Sequence, residues 1–277
     1  METVSDPKRA QSVQKRRVFY IPGYDPIHPR RYRELFRKEG AEQARISGYQ
    51  IDLKPKTGAG AYGWHASSQI NGARTEAQID VLVWSDIVRN SMSSTIPATY
   101  WQLVRTAFTY ISTGALFRLM RLRKGPIIAA LYPIGMLLAQ LLVAILLGRI
   151  AAGLVEWGGE RLLRWVLGPL LSGKYLWMLA ALGWAVTLVI VVLVLRWLKK
   201  KDGKLYAYYL MHDYAFSARY MGANPPALED RMAEFRATIA TALRDDVDEV
   251  LVVGHSSGAH LAVSILADLI REGGVPE

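Results

Sequence analysis

The chain has 277 residues, half of them hydrophobic, and a formal net charge of +10. That length allows one large domain or two small ones. The absence of cysteine excludes disulfides, thiolate catalysis and cysteine-based zinc sites, and the basic charge comes without a recognised nucleic-acid-binding motif, which argues against a nucleic-acid partner.

Residues 1–15 form a polar tail that lacks the apolar core of a secretory signal, and Lys8, Arg9, Lys15, Arg16 and Arg17 make an N-terminal basic cluster that reads as solvated. Residues 16–95 then alternate short apolar runs with polar periodic stretches. RRVFYIPGYDP carries the run 18–21, closed by Pro22 and Gly23, and reads as a buried strand ending in a turn. HPRRYRELFRKEGAEQARISG reads as a helix, with Pro29 suited to its first turn and Tyr32, Leu35 and Phe36 on one face. YQIDLKP and AYGWHASSQI flank the glycine-rich KTGAG and read as a hairpin. That loop lacks the Gly-Lys-Ser/Thr order of a phosphate loop. AQIDVLVWSDIVR supplies another strand, with the apolar run 81–84.

Residues 96–203 change character. IPATYWQLVRTAFTYISTGALFRLMRLRK places Trp101, Val104, Phe108 and Ile111 near helical spacing among arginines. This fits an amphipathic helix on a membrane surface, or a soluble helix packed on the flanking domain. Residues 126–148 and 175–195 are each uncharged over about the 20 residues that a bilayer-crossing helix needs. The competing reading is a pair of buried helices in a soluble protein. Arg118, Arg121, Arg123 and Lys124 precede the pair, and Arg196, Lys199, Lys200 and Lys201 follow it. The positive-inside rule therefore puts both outer ends in the cytoplasm. The connector 149–174, with Trp157, Leu162, Leu163, Trp165 and Val166, reads as a short amphipathic helix in the opposite interface. A multi-pass protein with two spans follows, with membrane lipids as partners.

Residues 204–277 resume the strand–helix alternation. KLYAYYLMHDY fits a strand or the start of a helix. ALEDRMAEFRATIATALRDDV is a helix with Met232, Phe235, Ile239 and Leu243 on one face, VDEVLVVG a buried parallel-type strand, and AHLAVSILADLI an apolar helix. The alternation indicates an α/β domain with a parallel sheet and helices on both faces, interrupted by the transmembrane hairpin.

Gly254-His255-Ser256-Ser257-Gly258 matches G-x-S-x-G between that strand and that helix. Such a turn needs glycines where backbones crowd, and it exposes a serine hydroxyl beside a helix N-terminus, whose N–H groups favour a developing oxyanion. On these residues the chain resembles the α/β-hydrolase superfamily of lipases, esterases and peptidases, over roughly residues 16–95 and 204–277. The resemblance implies a partial hydrolase-type sheet, Ser256 as nucleophile, and an oxyanion hole from the backbone N–H groups of Ser257 and Tyr24. Gly254, Gly258 and Gly23 are the motif glycines. The loop VFYIPGYDP departs from the family at Pro22, which replaces the usual histidine before the glycine.

A second departure lies downstream. The family order is serine, acid, histidine, yet after Ser256 come only Asp268, Glu272 and Glu277 as acids and His260 as histidine. His28, His65 and His212 are further histidines with no local signature of a base. The expectation is an N-terminal part of a longer protein, with the acid and base beyond it. The function implied is a membrane-anchored serine hydrolase, with its domain on the cytoplasmic side of a bacterial inner membrane. It would cleave an ester or related acyl bond of a lipid or small-molecule substrate through an acyl-enzyme, without cofactor or metal. The rival is a non-catalytic membrane scaffold or binding protein with a hydrolase-like domain.

Overall fold

In the computed structural model, residues 13–58, 60–70, 72–92, 95–121, 124–172 and 175–275 are described. Most of the expected N-terminal tail, and Arg123, Lys174 and Glu277, lie outside them. The chain forms two compact units, Met1–Ser91 with Asn224–Glu277, and Met92–Ala223. The first begins with β1 (Lys15–Ile21), α1 (Arg30–Ser47), β2 (Gln50–Pro55), β3 (Gly63–Ile70), β4 (Ala73–Val81) and α2 (Ser85–Ser91). The second holds α3 (Ile96–Ser112), α4 (Ala115–Leu119), α5 (Lys124–Ser172), α6 (Leu176–Lys200), α7 (Asp202–Leu205) and α8 (Ala207–Ala218). The chain then returns to the first unit with α9 (Pro226–Ala242), β5 (Glu249–Gly254) and α10 (Ser257–Arg271).

The sheet order is β2-β3-β4-β1-β5. β1 pairs in parallel with both β4 and β5, whereas β2–β3 and β3–β4 are antiparallel. The expected parallel sheet is thus corrected to a mixed one. The reason is connection length: β3 and β4 stand two residues apart, and a parallel crossover needs a dozen or more. The hairpin read across KTGAG is present as β2 and β3. The apolar run 81–84 leaves the strand at Val81, and Leu82 N–H still donates to Tyr20 O at 2.9 Å.

Alternation along β1 sends its side chains to two faces. Val18 and Tyr20 join Trp64, Ile79 and Val81 under α1, where the Phe36 ring lies tilted 5.6 Å from Trp64 and the Tyr32 ring 5.2 Å from Tyr20. Phe19 and Ile21, of the other parity, are fully buried, and α10 packs across β1 and β5. Helices therefore cover both faces, as the alternation required. β5 stands at the sheet edge, and Leu251 and Val253 remain partly exposed. Along α9 the expected Met232, Phe235 and Ile239 are buried.

One polar knot sits inside this unit. Asp80, almost wholly buried on β4, accepts from Arg17 Nη2 at 2.7 Å, Lys56 Nζ at 2.6 Å and Gln78 Nε2 at 3.1 Å. It ties β1, β4 and the start of the β2–β3 loop together. Arg231 on α9 makes a bidentate pair with Asp86 on α2, and its hydrogen bonds hold the Asp86 carboxyl below the usual carboxylate range.

In the helical unit, α5 and α6 pair closely. Both are long and apolar enough to cross a membrane, over Ile128–Gly168 and Leu176–Lys200. The expected separate interfacial helix over 149–174 is corrected: α5 runs on from the first uncharged stretch, interrupted by non-helical backbone at Gly168. The stretch KLYAYYLMHDY is helical in α7 and α8. Asp202 accepts from the N–H groups of Tyr208 and Tyr209 at 3.0 Å each, capping the start of α8. α3 packs on α8 and buries Thr99, Leu103, Thr106 and Thr109, while Trp101, Val104, Phe108 and Ile111 stand exposed. Buried hydroxyls bond back to their own helix, Thr99 to Thr95 O and Thr109 to Arg105 O.

Candidate functional site

The strand β5 delivers the chain to a turn at His255-Ser256, and α10 begins at Ser257. The His255 N–H donates to Ile21 O at 3.0 Å, which continues the β1–β5 ladder one step past the strand. Ser256 then takes φ 54° and ψ −124°. A side-chain-bearing residue adopts such positive-φ backbone at a cost of order 1–3 kcal/mol, and does so where its surroundings impose it.

The motif glycines show what imposes it. A Cβ at Gly254 would lie 2.5 Å from Ala259 Cα, and one at Gly258 would lie 2.2 Å from Ile21 O and 2.4 Å from Pro22 O. Both positions admit only hydrogen, so α10 starts hard against the end of β1. Gly23 closes the arrangement from the other side, since a Cβ there would come within 3.0 Å of Ser256 Cβ. The structure thus brings Gly23, Gly254, Ser256, Ser257 and Gly258 together and places Tyr24 directly after Gly23. Ser256 itself is exposed. Replacing Ser256 by glycine, which tolerates this backbone, is expected to raise the stability of the unit by about 1 kcal/mol. Comparing thermal unfolding of the two proteins checks this, and an unchanged or lower midpoint would contradict the strain.

Trp84 and Ser91, neither singled out in the sequence, help hold the loop after β1. Trp84, buried, donates from Nε1 to Pro22 O at 2.8 Å. Tyr24, also buried, meets Ser91 Oγ through its hydroxyl at 2.6 Å, and its ring lies edge-on to Trp84 at 6.2 Å. Trp84 ends an apolar run that reads simply as strand, and Ser91 belongs to a short polar helix, so neither carries a local signal. Asp25 fixes the next turn by accepting from Ile27 N–H at 2.9 Å and from the Tyr32 hydroxyl at 2.8 Å.

The histidines are scattered. His255 and His260 are exposed, and none of the hydrogen bonds among the described residues joins Ser256 Oγ to a histidine. His28 accepts from Arg30 N–H through Nδ1 at 3.2 Å and lies edge-on to Tyr62. His65 is on β3. His212 belongs to the helical unit, where it is buried with Nδ1 2.8 Å from Gln102 Oε1. Burial first, and Lys199 second, lower its pKa. Asp268 lies twelve residues along α10 from the serine, about 18 Å by helical rise, paired with Arg271 at 2.7 Å and Arg236 at 3.5 Å.

The site therefore presents an exposed serine on strained backbone between a helix start and a loop buttressed by tryptophan and tyrosine. Compared with known proteins, the chain matches no family model, no curated protein and no solved structure.

Proposed function

We propose that this protein is a membrane-anchored serine hydrolase with Ser256 as nucleophile. The observation that carries the reading is the backbone of Ser256, held at positive φ by glycines whose missing side chains let β1, β5 and α10 converge. Strain of this kind sets a hydroxyl out from the end of a sheet, where it can attack an acyl carbonyl. The oxygen would add to the carbonyl carbon, the carbonyl electrons would move to oxygen, and the N–H groups of Ser257 and Tyr24 would receive that charge. Collapse with loss of the leaving group gives an acyl-enzyme, which water hydrolyses. The serine proton requires a base within hydrogen-bond reach, with an acid orienting it.

The two long apolar helices, flanked on their outer sides by basic residues, support anchoring to a membrane, and anchoring favours a lipid or other apolar acyl substrate. Because the sheet unit is built from chain on both sides of the hairpin, both outer ends of the hairpin belong on one side of the bilayer, the cytoplasmic side by the basic flanks.

A fluorophosphonate probe, which phosphonylates activated serines, tests the chemistry on the native full-length protein. Labelling is expected, with at least a hundredfold loss in Ser256→Ala. Absent labelling, or equal labelling of the variant, refutes the proposal. A non-catalytic scaffold is the second reading. It is favoured by Asp268, whose carboxylate is engaged by two arginines away from the serine.

A further inference from the structure

The uncharged stretches 126–148 and 175–195 lie side by side only where the end of the first meets the end of the second. In the α5–α6 pair, the Thr187 hydroxyl approaches Gly148 O at 3.4 Å, Gly159 lies against Leu179, and the Glu156 carboxylate fills the notch left by Gly183. These pairs run antiparallel and put α6 residues 176 and 195 opposite α5 residues of about 161 and 142. The midpoint of the first uncharged stretch is thereby displaced along the axis by about 15 residues, or roughly 20 Å, from that of the second.

Two sets of side chains mark the two borders of one layer. At one end stand Trp197 with Arg196, Lys199 and Lys200 on α6. At the other stand Trp157, Arg161 and Arg164 on α5 beside Trp177 on α6. About 20 residues separate the two levels, which is the thickness of the hydrocarbon layer, and aromatic and basic side chains concentrate at its borders. A layer over 126–148 would instead bring Arg196, Lys199, Lys200 and Lys201 to its middle.

Resting on the reading of α5 and α6 as membrane-crossing, we propose that bilayer hydrocarbon covers α5 from about residue 141 to 161 and α6 from about 176 to 196, with the Arg149–Glu156 ion pair inside it. Arg149 Nη1 lies 3.9 Å from Glu156 Oε1, and its guanidinium lies over the Trp184 ring at 5.1 Å. Each charge thus has a partner at the depth of Gly183 and Thr187. Ionisable groups in hydrocarbon are kept in this way, paired and turned to a neighbouring helix. Ala144, Gly148 and Ala152, buried on one face of α5, allow the close approach that lets Glu156 reach Gly183. The N-terminal part of α5, with α3 and α8 packed on it, then stands at and beyond the basic border.

The chain has no cysteine, so single substitutions report cleanly. Ile128, Leu154 and Leu188 are equally exposed in the protein, at 69%, 67% and 66%. Ile128→Cys, Leu154→Cys and Leu188→Cys are made in the full chain, reconstituted in lipid nanodiscs that leave both bilayer faces open, and treated with a charged maleimide. The expected result is labelling of position 128 at the rate found in denatured protein, and at least tenfold slower labelling at 154 and 188. Slow labelling at 128 and 188 with fast labelling at 154 overturns the offset and leaves the membrane reading intact. Slow labelling at all three overturns the assigned borders. Fast labelling at 188 overturns the membrane reading itself.

Discussion

Gly258→Ala is expected to unfold the sheet unit or cost it at least about 3 kcal/mol, the upper end of ordinary overpacking. The added methyl would point at the carbonyl oxygens of Ile21 and Pro22, at 2.2 and 2.4 Å. Neither is a flexible side-chain tip. They belong to the last residue of β1 and the one after it, and moving them disturbs the β1–β5 ladder, the Trp84–Pro22 hydrogen bond and the close approach of Gly23 to Ser256 at once. Against a total stability of 5–15 kcal/mol for a typical domain, such a loss is readily measured by thermal unfolding or protease resistance. A variant within about 1 kcal/mol of the parent would show that α10 can shift away from β1, and the rigid elbow would have to be given up.

Asp80→Ala is expected to cost about 3–5 kcal/mol, the range for removing one partner of a buried ion pair. The carboxylate is 2% exposed, and the side chains of Arg17 and Lys56 that it neutralises are 20% and 16% exposed. Its loss leaves two cations with little access to water and without their shared counter-charge. Adding Lys56→Met to Asp80→Ala should recover part of the loss, because one stranded charge is removed with it. Chemical denaturation of the single and double variants measures this coupling, and a double variant no more stable than Asp80→Ala would mean that Lys56 reaches water freely once released.

Much of the sheet unit was legible in the sequence because its signals are local. Gly254 and Gly258 bracket Ser256 between an apolar run and an apolar helix, and the fold places strand, turn and helix there. The face of α9 and the β2–β3 hairpin followed in the same way from periodicity and turn residues. Partnering was not legible. An uncharged run shows that a helix suits lipid, but the register of α5 on α6 depends on where Gly148, Gly159 and Gly183 admit Thr187, Leu179 and Glu156, and periodicity says nothing of that. α8 was ambiguous because its tyrosines suit strands as well as helices. The Asp202 cap and packing on α3 and α5 decide it. Trp84 and Ser91 act on a loop more than sixty residues earlier, a relation that only the folded chain reveals.

The split of the sheet unit across the chain has a consequence for its synthesis. β1 finds β4 within the first 81 residues, but β5, its other neighbour, begins only at Glu249, about 170 residues later. At translation rates of about 5–20 residues per second, β1 waits roughly 8–34 s with one edge unpaired. During that time the helical unit is made and, on the proposed reading, enters the bilayer. An unpaired apolar edge invites aggregation, so the nascent chain carries this liability on β1 until the ribosome has passed the elbow.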